Sequence, residues 1–105
     1  MTNVELIEDF NSKGLEYPTW IIGVTPDLDV GLGLSWIWQL PRDHPLTSSA
    51  DIHDLEYQVR GEKTSSNADY RLLRNCLKLA KGNKRLLIQS YLFYAIARSV
   101  GVVRW

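Results

Sequence analysis

Apolar positions in this chain fall into helical spacing at both ends and lose all regularity in between. Val4, Leu6, Ile7 and Phe10 share one face of a helix over residues 3–12, and Gly14 offers a stop. Pro18-Thr19-Trp20-Ile21-Ile22-Gly23-Val24 is β-branched and aromatic, so it reads as extended. From Thr25 to about Thr47 turn formers dominate: Pro26, Gly31, Gly33, Pro41 and Pro45. At most one helical turn, around Leu34–Gln39, is expected there.

The pattern turns helical again at Ser48. Ser48 or Ser49 is the expected N-cap of a helix over Ala50–Val59, with Asp51 in its first turn and Gly61 beyond its end. Ile52, His53 and Tyr57 lie on its core side, with Leu55 partly so. Ser66-Asn67-Ala68-Asp69 matches an Asp variant of the capping box for a helix over Ala68–Lys81. That helix is expected to bury Leu72, Leu73, Cys76, Leu77 and Ala80, and Gly82 ends it. A last helix, Lys84–Val100, carries Leu87, Ile88, Tyr91, Tyr94, Ala95 and Arg98 at helical spacing, with Gly101 as its stop. Tyr91-Leu92-Phe93-Tyr94 reads as core. The fold class is therefore mainly α: an N-terminal loop-rich segment (1–47), then a three-helix core (48–101), in a single domain of 105 residues.

Composition adds few constraints. Hydrophobic content of 45% and charged content of 23% are those of an ordinary globular protein. No apolar run approaches the roughly 20 residues needed to span a bilayer, and Met1–Glu5 has no signal-peptide character. The single Cys76 leaves no internal disulfide and no cysteine-built zinc site. Its apolar surroundings read as those of a buried, inert thiol. His44, beside Pro45, reads as solvent-exposed.

Charge is more informative. Residues 1–57 hold ten acids against two bases, net −8, and residues 58–105 hold ten bases against two acids, net +8. The halves either attract each other within one fold or let the protein dock by charge on neighbouring subunits. The basic half carries no nucleic-acid-binding motif, so no specific nucleic acid is expected. Trp36 and Trp38 in the long loop, with Trp105 at the end of the chain, suit contacts with a partner.

The candidate chemistry lies in His53-Asp54-x-x-Tyr57 and the later Ala68-Asp69. His53 and Tyr57 are four apart and share a helix face, and a second helix can return Asp69 to that face. A histidine held by a carboxylate can take a proton from water. The same groups can also only clasp two helices through buried hydrogen bonds, with Asp54 paired to Arg98 or another base.

His53-Asp54-x-x-Tyr57 with Ala68-Asp69, over about residues 48–70, resembles phospholipases A2. The resemblance implies His53 as the base, Asp69 as the residue that orients it, and Tyr57 in support. It also implies Asp54 as a calcium ligand, with carbonyls near Gly31 and Gly33 completing the site. Val30-Gly31-Leu32-Gly33-Leu34 lacks the paired glycines of that family's calcium loop, and the family's flanking cysteines are absent.

A second resemblance runs over residues 25–105. Thr25-Pro26, Leu34-Ser35-Trp36-Ile37-Trp38, Leu40-Pro41-Arg42, Ser49-Ala50, His53-Asp54-x-x-Tyr57, Ala68-Asp69, Tyr91-x-x-Tyr94-Ala95-x-x-Arg98 and Gly101 are similar to a family of small proteins encoded by tailed bacteriophages. It implies a phage source. On this reading the chain is a virion-associated structural protein (cement, connector or tail accessory). It would bind other virion subunits in an assembly and need no cofactor. It would reside in the virion, and in the host cytoplasm before assembly. The alternative is a calcium-dependent, phospholipase A2-like lipid hydrolase.

Overall fold

The computed structural model describes residues 2–26 and 40–104, with side chains described up to Gly101. Among these are four α-helices, one 3₁₀ turn and no strand: α1 (Asn3–Ser12), the 3₁₀ turn (Thr19–Ile21), α2 (Thr47–Val59), α3 (Ser66–Ala80) and α4 (Lys84–Arg104). The protein is mainly α, as the periodicity implies.

α1 begins with a full capping box. The Thr2 hydroxyl accepts from Glu5 N, and the Glu5 carboxylate accepts from Thr2 N. Leu6 and Phe10 are its buried positions. With Leu15, Ile21, Ile52 and Leu55 they form one apolar cluster, between α1, the 3₁₀ turn and α2. A second cluster, Leu46, Leu72, Cys76, Phe93 and Ala97, lies where the entry to α2 meets α3 and α4. Burying each large apolar side chain in these clusters contributes roughly 1.5–3 kcal/mol. α3 and α4 form the most extensive helix pair.

Polar clasps hold the N-terminal segment to this frame. The Asn3 amide donates to Ile21 O (3.0 Å) and Val24 O (2.6 Å), and its oxygen accepts from Gly23 N (2.6 Å). Asn75, fully buried on α3, accepts from Glu16 N (2.9 Å) and donates to Glu16 O (2.8 Å). Arg74 pairs with Glu16 at 2.7 Å, and Arg71 pairs with buried Glu56. These two pairs join the acidic half of the chain to the basic half.

Several sequence expectations are corrected. Pro18–Val24 is not an extended segment: Ile21 N and Ile22 N return to Pro18 O and Thr19 O, and the resulting turn drives Ile21 into the core. α2 begins at Thr47, not Ala50, and Ser48 and Ser49 are buried inside it rather than capping it. Their hydroxyls have other partners. Ser48 Oγ donates to Asp9 Oδ2 (2.6 Å), and Ser49 Oγ donates to Leu46 O (2.6 Å).

His44 is half-buried, and its Nδ1 accepts from Leu46 N (3.1 Å), so it is not a solvent-exposed residue. Leu73 and Leu77 are only partly buried.

α4 differs most. It runs through Gly101 to Arg104, and Ile88, Tyr91 and Ala95 face outward, while Ser90, Phe93, Ala97 and Gly101 face inward. Apolar residues occur all round this helix, so its periodicity does not select a face. Gly101 is a close-approach residue and not a stop. A Cβ there would meet the Ser65 hydroxyl, and would lie 2.8 Å from both Ser65 Cβ and Tyr57 Oη.

Candidate functional site

Three helices converge on Asp69, in the first turn of α3. Its carboxylate does not cap that helix: the N-cap, Ser65, makes no side-chain cap bond, and Asp69 N donates to Ser65 O (2.9 Å). The side chain turns instead into the protein, where it is fully buried. Asp69 Oδ1 lies 2.8 Å from His53 Nε2 on α2. Asp69 Oδ2 accepts from Arg98 Nη1 on α4 at 3.1 Å. The Tyr57 hydroxyl is 3.5 Å from Asp69 Oδ1 and 3.3 Å from Ala97 O. Its ring packs on the imidazole, with centroids 4.5 Å apart.

The expected return of Asp69 to the His53–Tyr57 face is thus present. The expected pairing of Asp54 with Arg98 is not: Arg98 goes to Asp69 and, at 3.2 Å, to the Ser66 hydroxyl. Which acid Arg98 meets depends on the rotation of α4, and the sequence does not set that rotation.

With Nε2–H donating to the carboxylate, His53 Nδ1 is left as the acceptor nitrogen. It is buried and has no hydrogen-bond partner among the described residues. Burial holds the imidazole below its ordinary pKa, against the opposing pull of Asp69, so the ring is neutral. Asp54, next along α2, also lacks an ion-pair or hydrogen-bond partner among the described residues. Burial, reinforced by the charge of Asp51, pushes its carboxyl up to about 7. Asp51 itself is held by both Arg42 nitrogens at 2.9 Å. The Tyr57 phenol is pushed up by burial and by the Asp69 charge.

Asp54 is half-buried, and a carboxylate without a counter-ion has the chemistry of a cation ligand. Asp54 therefore fits one position of a calcium site. It does not make a site by itself: among the described residues no three His, Cys, Asp or Glu side chains are grouped to hold a metal. Gly31 and Gly33, the other expected calcium contacts, lie outside the described residues, as do Trp36, Trp38 and Trp105.

Sequence reasoning missed the ion pair of Glu56, fully buried on α2, with Arg71. Burial pushes the Glu56 carboxyl up to about 7 against the pull of Arg71, and its Oε2 has no partner among the described residues. Cys76 is buried 3.0 Å from Ser49 Oγ, and burial pushes its thiol up to about 11. No helix among the described residues is long and apolar enough to cross a membrane. No protein-family model, curated protein or solved structure matches the chain.

Proposed function

We propose that the chain is a hydrolase in which His53, aligned by Asp69, activates water against a carboxylic ester, with a phospholipid as the substrate class. The observation that carries this reading is the imidazole with one nitrogen tied to a carboxylate and the other unpartnered. A helix clasp needs only the Nε2 bond. Nδ1, left without a partner, is the acceptor that a general base needs, and a water bound there would offset the roughly 1–3 kcal/mol that an unpaired buried acceptor costs.

In the proposed step a water proton passes to Nδ1 as the water oxygen adds to the ester carbonyl carbon. The same proton then passes from Nδ1 to the departing alcohol oxygen, giving a fatty acid and a lysophospholipid. Asp69 holds the ring in one tautomer and balances the transient imidazolium. Calcium bound at Asp54 would supply charge stabilisation for the carbonyl oxygen. The His53 ring is enclosed in this conformation, so turnover requires an opening that admits water to Nδ1.

The test is fatty-acid release from phospholipid vesicles, with and without calcium, by the natural chain and by His53→Gln. Release that depends on both calcium and His53 is expected. No release under any condition overturns the reading.

A second reading is favoured by a different observation. Ile88, Tyr91 and Leu92 are 70%, 56% and 54% exposed, and they lie together on the outer face of α4. Such a strip suits a virion structural protein docked on other phage subunits. On that reading, mass spectrometry of purified virions detects the chain in many copies, and its absence refutes the assignment.

A further inference from the structure

We infer that Arg98 is a positioning residue for the His53–Asp69 pair, and that the Arg98–Gly101 turn of α4 completes the site from its third side. The inference rests on the proposed hydrolase reading for its kinetic consequence but not for its geometry.

The two oxygens of Asp69 are held from opposite helices. α2 supplies His53 Nε2 to Oδ1 at 2.8 Å, and α4 supplies Arg98 Nη1 to Oδ2 at 3.1 Å. The plane of a carboxylate is fixed only when both oxygens are engaged. Without Arg98, no lysine or arginine among the described residues lies within ion-pair distance of Asp69, and only the neutral His53 ring remains on it. The carboxylate would then be free to turn about its last bond and misalign Oδ1.

The guanidinium is tethered in turn. Arg98 Nη1 also donates to the Ser66 hydroxyl at 3.2 Å, three residues before Asp69 on α3. One turn further along α4, Gly101 makes this approach possible. A side chain there would occupy the space of Ser65 and Tyr57 Oη, so Gly101 lets α4 sit close enough for Arg98 to reach Asp69. The tyrosine hydroxyl is set against the same carboxylate by that contact. Lysine in place of Arg98 would keep the charge but not the planar guanidinium whose Nη1 meets both Ser66 and Asp69.

The experiment compares the natural chain with Arg98→Met, Arg98→Lys and Ser66→Ala, at one fixed pH. Folding is followed by circular dichroism. The readout independent of activity is the His53 Nε2–H proton in nitrogen-15-labelled protein. A protected, far-downfield proton is expected in the natural chain, lost to exchange in Arg98→Met and retained in part in Arg98→Lys. Ser66→Ala, which removes only the tether, is expected to fall between them and serves if Arg98→Met does not fold. The kinetic expectation on phospholipid vesicles is a kcat about 100-fold lower for Arg98→Met, from misorientation, with KM changed less than about twofold.

An unchanged Nε2–H proton in folded Arg98→Met, or in Ser66→Ala should the first variant fail to fold, overturns the inference. Absence of vesicle hydrolysis by the natural chain overturns the hydrolase reading instead, and the Nε2–H proton still decides the role of Arg98.

Discussion

Replacing Gly101 with alanine tests the close approach of α4 to the site, because two effects of opposite sign compete there. Gly101 is within a helix, where alanine is favoured over glycine by about 1 kcal/mol. If the space around it were open, Gly101→Ala would therefore stabilise the protein. The space is filled. The new Cβ would lie 2.8 Å from Ser65 Cβ and from Tyr57 Oη, and closer still to the Ser65 hydroxyl. Ser65 and Tyr57 are both buried and neither can move into solvent. Overpacking of this kind costs about 1–3 kcal/mol. Displacing the Tyr57 hydroxyl from Ala97 O and Asp69 adds about 1–3 kcal/mol for buried polar groups left unpaired. The costs outweigh the helix gain, and a net loss of about 1–5 kcal/mol is expected. Urea denaturation of the natural chain and of Gly101→Ala measures it. Ser65→Gly in the same chain should recover part of the loss: it frees the space that the new Cβ needs, and it forfeits the hydrogen bond between the Ser65 and Tyr57 side chains. A Gly101→Ala protein more stable than the parent by about 1 kcal/mol would refute the close packing of α4 on Tyr57.

Other outcomes follow from the same geometry. Arg71→Met should destabilise by about 3–5 kcal/mol, because it leaves the Glu56 carboxyl buried without its cation, and the added change Glu56→Gln should recover part of that loss in urea denaturation. Cys76 should resist alkylation by iodoacetamide at pH 8 in the native state and react at once in urea, because it is buried and its thiol sits near 11. Asp54 has a folded pKa raised to about 7, so its ionised form costs stability. That cost sets in as pH rises above the ordinary carboxyl range, and it is complete above about 7. Asp54→Asn should accordingly be more stable than the parent at pH 8 and nearly equal to it at pH 4, while losing any calcium-dependent gain in melting temperature.

The sequence made some parts of this fold easy to read. In α1, the spacing of Leu6 and Phe10 lies within one short window, so local pattern and tertiary placement agree. The pairing of His53 with Asp69 was legible for the same reason, since one helix face and a short return fix it. α4 was not, because apolar side chains all round it leave its rotation to packing, and Gly101 and Ala97 decide that rotation by being small. The start of α2 is not legible, because Ser48 and Ser49 look like caps. Their hydroxyls are in fact satisfied by Asp9 and by Leu46 O. The clasps of Asn3 and Asn75 join residues far apart in the chain, and no local pattern announces them.

The proposed chemistry depends most directly on the free Nδ1 of His53. Fatty-acid release from phospholipid vesicles in the presence of calcium, measured side by side for the natural chain and His53→Gln, tests it. Release by the natural chain, its loss in His53→Gln and a melting temperature nearly unchanged between the two are the expected results. An absence of release from both proteins, together with a large drop in melting temperature for His53→Gln, would mean that the histidine is only a clasp between α2 and α3.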